Sequence, residues 1–438
     1  MLFVAVWLRF YRTRLHRAWA RDKEKLTEHA GISTQTFPES TTCFVKEEKM
    51  DRFQLSDRLA ALPPYLFAEI DRVKNEVKAR GVDIISLGIG DPDQPTPEFL
   101  VKALAEAAKN PVHHQYPSSI GMPSFRQAVA DWYQGRFSVD LDPGKEVVSL
   151  IGSKEGIAHF PLAFINPGDL VLVCTPNYPV YNIATNFAGG RVQFVDLVEG
   201  NRYLPDLDGI GEDSWQEAKA IFLNYPNNPT AAMADKPFYE RLVAKAKEHN
   251  VIVVHDAAYT EMYYNPDNKP LSILEIPGAK DVAIEFHSLS KTYNMTGWRI
   301  AMAVGNETLV GGLGRIKENM DSGAFQAVQE VGIAALTQGE PEADRLRALY
   351  KERRDVVLEA LGKAAIESEV PEATFYIWSK TPKEFASSAD FVTKLLQETG
   401  VVVTPGNGFG APGEGYFRIS LTVPSERLKE AVSRIASL

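Results

Sequence analysis

From Glu146 to Gly305 the chain alternates apolar-rich runs with longer stretches of helical period. The runs are 147–151, 169–174, 191–197, 220–224, 251–254, 282–284 and 300–304. Most are apolar at successive positions rather than at every second one, which predicts strands covered on both faces. Such strands alternating with helices predict an open, mostly parallel sheet. Upstream, 65–79, 98–108 and 123–134 carry helical periodicity, and 84–87 reads as a short strand. Downstream, a helical run over 327–361 breaks near Gly339 and Pro341. Strand-like segments at 374–378, 401–404 and 416–421 then predict a smaller α+β unit.

The residues that follow these runs carry the candidate chemistry. Gly152-Ser153-Lys154-Glu155 follows the first run and opens a helix. Free backbone N–H groups at a helix start attract a phosphate, and Lys154 adds charge. Tyr178 lies just past the second run, where an aromatic can stack on a flat ring. The turn Tyr225-Pro226-Asn227-Asn228-Pro229-Thr230 presents Asn228, whose amide can donate to a phenolic oxygen. Asp256 follows the run at 251–254. A carboxylate there, under a pyridine ring, keeps the ring nitrogen protonated and the ring a better electron sink. Tyr259 can donate to the same phenolic oxygen as Asn228. His255 faces away from Asp256 in an extended segment and reads as core or support.

The richest stretch is Phe286-His287-Ser288-Leu289-Ser290-Lys291-Thr292-Tyr293-Asn294-Met295-Thr296-Gly297-Trp298-Arg299. It places Lys291 between two buried strands. A desolvated amine has a lowered pKa and can attack an aldehyde to form a Schiff base. Ser288 and Arg299 can hold a phosphate, the arginine as a fixed fork. Each of these residues lies near a strand's C-terminal end, where open parallel sheets bind ligands. Together they suggest pyridoxal 5'-phosphate.

Two further features point to a substrate. Gly88-Ile89-Gly90-Asp91-Pro92-Asp93 cannot be helix and allows close backbone approach at Gly88 and Gly90. Arg418 stands alone among apolar neighbours in the last strand and needs an anion there. An α-carboxylate bound by two parallel bonds supplies one. His113 and His114 are adjacent and do not converge as metal ligands, so no metal is expected.

Composition narrows the picture. The 438 residues suffice for two domains, and 45% hydrophobic with 24% charged is ordinary for a globular chain. A net charge of -10 gives no case for nucleic acid. Cys43 and Cys174 form neither a disulfide framework nor a metal-ligand spacing, and read as free thiols of a cytoplasmic protein. No apolar run approaches the roughly 20 residues that cross a bilayer, so no stable membrane insertion is expected. Residues 1–49 stand apart. An apolar run over 1–8 precedes Arg9, Arg12, Arg14 and Arg17, the reverse of a secretory signal. Two readings stay open: an upstream extension ahead of a natural start at Met50, or a genuine non-catalytic helix, for which a membrane surface is one setting.

The motifs resemble the class I and II aminotransferases of fold type I over about residues 55–438. Ser288-Leu289-Ser290-Lys291, with Arg299 eight residues on, resembles that family's cofactor-lysine motif. Asn228-Pro229-Thr230 resembles its Asn-Pro-Thr-Gly element, with Ala231 in place of the glycine. That exchange matters only if the position needs positive φ. The resemblance implies that Lys291, Asp256 and Tyr259 are catalytic. It also implies that Gly152, Ser153, Lys154, Ser288 and Arg299 hold the cofactor phosphate end. Tyr178, Asn228, Asp256 and Tyr259 would then hold its ring, and Ile89, Gly90, Asn228 and Arg418 the substrate. Tyr116, with Gly121 and Arg126, resembles a tyrosine that reaches the partner subunit's cofactor phosphate. A homodimer with sites at the interface is therefore expected, acting on amino acids and 2-oxo acids.

The implied architecture is a fold type I transferase: a mostly parallel sheet in a large domain, 97–330, with a small α+β domain from 50–96 and 331–438. The words around the motifs, at 87–97, 152–157, 225–230 and 286–299, resemble one branch of the family. Its substrate carries a distal amine and carboxylate, for which Asp91, Asp93 and Glu155 are candidate acceptors. Alanine, aspartate, aromatic or methionine-related substrates stay open. So does a decarboxylase or aldolase of the same fold.

Overall fold

The computed structural model describes residues 53–62 and 66–437, so the expectations for residues 1–49 lie outside it. Within Ser56–Leu438, a compact unit by its contacts, the alternating runs form a seven-stranded sheet. Its strands are β2 (Val147–Leu150), β3 (Leu170–Thr175), β4 (Arg191–Asp196), β5 (Ala218–Asn224), β6 (Ile252–Asp256), β7 (Ala283–Ser288) and β8 (Ala301–Gly305). The order is β2-β8-β7-β6-β5-β3-β4. The pairs among β4, β3, β5, β6 and β7 are parallel, whereas β8 runs antiparallel to both β7 and β2. The sheet is thus mixed, with a parallel majority.

Every residue of β3, β7 and β8 is buried; the apolar runs of β3 and β8 predict this, whereas β7 also buries Glu285, His287 and Ser288. At the edge, β4 is mostly exposed or half-buried, and only Val195 is buried. Leu172, Ile221, Val253 and Met302 pack into one core layer with Phe125, Val129 and Val331. Val173, Phe222, Val254 and Ile284 pack into the other, with Ile157, Phe160 and Tyr181. Strand β7 extends beyond the apolar run at 282–284. The strand runs on through Phe286, His287 and Ser288 because it bonds to β6 on one side and β8 on the other. The first three residues of the lysine stretch are therefore strand, and Lys291 sits in the single helical turn Leu289–Thr292 at its end.

The smaller part contains a three-stranded antiparallel sheet, in the order β11-β12-β9, of β9 (Tyr376–Lys380), β11 (Thr404–Pro405) and β12 (Tyr416–Ser420). A second pair joins β1 (Ile85–Ser86) to β10 (Val401–Val402) in parallel. The segment 401–404, expected as one strand, is divided between these two sheets. Strand β9 begins at Tyr376, because Thr374 takes φ 64 and cannot continue an extended ladder. Phe375, Ile377, Phe417 and Ile419 form the core of this part with Val357, Leu361 and Leu428.

The loop at 88–97 is anchored to both parts. Asp93 receives two bonds from the buried guanidinium of Arg353, at 2.6 and 2.8 Å. Burial alone would raise its carboxyl; the Arg353 fork and Gln94 hold it below the usual range. Thr96 donates to the Asn294 carbonyl at 2.6 Å. Removing one partner of a buried ion pair leaves the other uncompensated. Asp93→Asn should therefore lower unfolding free energy by about 3 kcal/mol in chemical denaturation; a loss below about 0.5 kcal/mol would show that the loop does not rely on this pair.

Candidate functional site

Five of the sequence-selected elements lie at the C-terminal ends of β2, β3, β5, β6 and β7. Gly152 precedes the helix Ser153–Phe164 and has φ 96. A Cβ at this position would collide with the guanidinium of Arg299. The glycine thus admits the arginine to the helix N-terminus, where N–H groups and cation can share one anion. Arg299 is itself left-handed, at φ 57, and its Nη1 donates to the Thr296 carbonyl at 2.7 Å. The Ser288 hydroxyl accepts from the Ser290 N–H at 3.2 Å, capping the turn that presents Lys291. Lys154 is exposed, with Nζ 5.6 Å from the Tyr178 ring centre.

Lys291 donates from Nζ to the Gly90 carbonyl at 3.0 Å. Removal from water pushes its ammonium down to about 8; Asp91 opposes that shift, and the cations Arg418 and Arg299 add to it. At pH 7 roughly a tenth of such an amine is free to act as a nucleophile, far more than of an ordinary lysine.

Asp256 ends β6, fully enclosed. Its Oδ2 accepts from the Tyr181 hydroxyl at 2.8 Å, and its Oδ1 from the Ala258 N–H at 3.2 Å. Burial raises its carboxyl, and these two donors act against the rise. His255 points to the opposite face, as alternation requires. There it meets Glu285 at 2.9 Å and Tyr239 at 3.1 Å. Burial works against the Glu285 charge, yet His255, Ser272 and Tyr133 hold the carboxyl below its ordinary range.

Arg418 is 3% exposed, so its surroundings decide its role. Nη1 donates to the Asn228 Oδ1 at 2.6 Å and Nη2 to the Gly88 carbonyl at 2.6 Å. The guanidinium carbon lies 4.2 Å from the Tyr376 ring centre and 4.7 Å from that of Phe409. Its Nε has no partner, and among the described residues no carboxylate pairs with it. With its oxygen held by Arg418, Asn228 presents its NH2 as the donor toward a ligand. Ala231 does take positive φ, at 62. The alanine is therefore held in the conformation glycine favours, closed by its N–H bond to the Asn227 carbonyl at 2.9 Å.

Not every sequence-selected residue joins the centre. Glu155 is tied to Ile151 N–H, to His159 and to the fully buried Lys317, which also binds Asp321 at 3.1 Å. Glu155, His159 and Asp321 have metal-like spacing, but the Lys317 ammonium already lies within bonding distance of both carboxylates. Glu155 and Asp93 are thus both committed to structural cations and are withdrawn as acceptors for a substrate amine; Asp91 is exposed. His113 and His114 bond to the carbonyls of Ala107 and Ala108 at the end of a helix. Tyr116 is 89% exposed. Ile89 is half exposed, and its carbonyl accepts from Thr422. Two tyrosines escaped the sequence reading. Tyr181, three residues after Tyr178, carried a usable signal in that spacing; Tyr376 carried none.

Gathered at one edge of a mostly parallel sheet, these groups have the layout of a fold type I aminotransferase. The profile of aminotransferase class I and II matches residues 82–435, and the chain belongs to that family. It is 69% identical over 389 residues to LL-diaminopimelate aminotransferase of Maridesulfovibrio salexigens, covering 89% of this chain and 100% of that one. The enzyme of the same name from Aquifex aeolicus is 60% identical over 386 residues, or 88% of this chain and 99% of the relative. Among solved structures, substrate-bound BacF of Bacillus subtilis superposes with a TM-score of 0.84 at 39% identity, covering 88% of this chain and 97% of that one. Fold type I aminotransferases generally use pyridoxal phosphate. The orphaned Nε of Arg418, the cradle that a Cβ at Gly152 would fill and the low amine value of Lys291 fit that cofactor and an amino-acid carboxylate.

Overpacking a tight site costs about 1–3 kcal/mol. Gly152→Ala should therefore weaken pyridoxal phosphate binding by roughly 10- to 100-fold, measured by titrating cofactor-free protein; unchanged affinity would remove Gly152 and Arg299 from the phosphate site. The amine is the reactive form and lies above its pKa. Covalent uptake of pyridoxal phosphate should thus accelerate as pH rises through about 8 and then level off. Stopped-flow absorbance checks this, with Lys291→Ala as the blank. A rate still climbing toward pH 10.5 would mean that the amine is as wet as an ordinary lysine.

Proposed function

We propose that this chain transfers the amino group reversibly between LL-2,6-diaminopimelate and 2-oxoglutarate. In the biosynthetic direction it would make LL-diaminopimelate from tetrahydrodipicolinate with glutamate as donor, in lysine formation. The observation that carries this reading is the 69% identity over the whole of a relative that bears that enzyme's name. The site supports the chemistry, and the relative supports the substrate.

The bound cofactor supplies an electron sink for the carbanion that forms when the substrate α-carbon loses its proton. Gly152, Ser153, Ser288 and Arg299 would hold its phosphate, with Lys154 at the rim. Tyr178 would cover the ring, and Asp256, fixed by Tyr181, would keep the ring nitrogen protonated. Asn228 and Tyr259 would donate to the phenolic oxygen. Lys291 would hold the cofactor through its amine, and that amine would serve as the base that takes the proton from the substrate α-carbon and the acid that returns it. Arg418 grips the α-carboxylate together with the Asn228 amide and the 89–90 backbone. That grip fixes which face of the α-carbon Lys291 can reach.

Two parts of this reading concern groups outside one chain's core. Tyr116 is far more exposed than a tyrosine packed in its own chain, which supports a homodimer in which it reaches the partner's phosphate site. Asp91, whose charge is felt at Lys291, is the remaining acceptor for the distal amine.

Formation of glutamate from 2-oxoglutarate, followed with LL-diaminopimelate, meso-diaminopimelate, alanine, aspartate and phenylalanine, tests the substrate. A site built to bond a distal polar group rejects analogues lacking it by large factors, so kcat/KM for LL-diaminopimelate should lead the three simple amino acids by at least about 10³. Activity confined to any of those three would refute the assignment.

A further inference from the structure

Tyr376 touches three parts of the site from the smaller sheet. Its hydroxyl lies 3.0 Å from that of Tyr259. Its ring faces the guanidinium of Arg418 at 4.2 Å. Its hydroxyl end also packs so closely against Gly90 that a Cβ there would collide with it. The side chain is 2% exposed, so no solvent competes for its proton. Burial keeps both phenols protonated, each far from ionising near neutral pH.

A phenol has one proton to give. If Tyr259 gives its proton to Tyr376, none is left for a third group. If Tyr376 donates to Tyr259, the Tyr259 proton is free and its O–H is polarised by the bond it receives. The rest of the surroundings favours the second arrangement. The Tyr376 ring is committed by its face to a cation, and a cation withdraws density from the ring and makes its hydroxyl the better donor. The covering of Tyr376 by Gly90 leaves Tyr259 as the one hydrogen-bond partner of its hydroxyl among the described residues.

We infer that Tyr376 is a positioning residue that acts through Tyr259: it donates to the Tyr259 oxygen and so aims the Tyr259 proton at the phenolic oxygen of the cofactor. The inference rests on the cofactor assignment made above, not on the choice of amino acid. It gives β9 of the smaller sheet a direct part in tuning the cofactor, and it ties that tuning to the ring on which Arg418 rests.

A hydrogen bond to the phenolic oxygen favours its anionic form and therefore lowers the pH at which the lysine-bound chromophore loses its proton. Weakening that bond raises the midpoint. The test is a spectrophotometric pH titration of the cofactor-loaded full chain without substrate. Tyr376→Phe keeps the ring under Arg418 and removes only the hydroxyl. It should raise the midpoint of the visible band by about 0.5 pH unit. In a Tyr259→Phe background the same substitution should leave the midpoint unmoved, because the residue acts only through Tyr259. Michaelis constants separate the second contact. Tyr376→Phe should keep KM for the amino acid within about twofold, whereas Tyr376→Leu, which removes the ring face, should raise it about tenfold. A fall or no change in the midpoint for Tyr376→Phe, or an equal shift in both backgrounds, overturns the inference. A wild-type chain that gains no visible band with pyridoxal phosphate overturns the cofactor assignment and this inference together.

Discussion

A guanidinium sealed from water without a carboxylate beside it is a costly arrangement, and much of the molecule is arranged around the one at Arg418. Burial lowers its affinity for the proton, with the two neighbouring phenols opposing that shift. Two rings, one amide oxygen and one loop carbonyl partly replace its lost hydration. Each of those four partners comes from a different stretch of chain. The Phe409 carbonyl in turn receives the N–H of Asn177, beside Tyr178. The arginine is therefore a structural junction between β12 and the turn after β5. Its Nε leaves the set of bonds one short.

The same logic explains what could be read in advance. The large sheet was legible because its strands are buried on both faces and so are apolar almost without interruption, as in Leu170–Thr175 and Ala301–Gly305. The candidate residues at their ends stand out because a turn that leaves a strand must abandon that pattern. Glycine, proline, asparagine and one lysine then stand out. The boundaries were less legible where a strand carries polar side chains on buried positions. His287 and Ser288 belong to β7, yet they look like loop residues.

Pairings across long sequence distances were not legible at all. Tyr376 meets Tyr259 over 117 residues, and Arg353 meets Asp93 over 260. A carboxylate in a glycine-rich loop gives no local sign of whether it faces a substrate or an arginine. Asp93 and Glu155 were candidates for that reason, and the folded chain assigns both to buried cations. Ala231 shows the opposite case. Its identity departs from the pattern expected at a left-handed turn, and the backbone adopts φ 62 all the same, because the surrounding bonds of Asn227 and Thr230 determine the turn.

The cluster of Glu155, His159, Asp321 and Lys317 has the outline of a divalent-ion site with an ammonium in the ion's place. A covalently attached cation cannot be diluted, exchanged or chelated, and an enclosed pair is little screened by dissolved salt. The helix that starts at Ser153 therefore keeps its electrostatic anchor whatever ions the surrounding medium contains. Its first turn keeps its place in buffers rich in chelator as in those rich in magnesium.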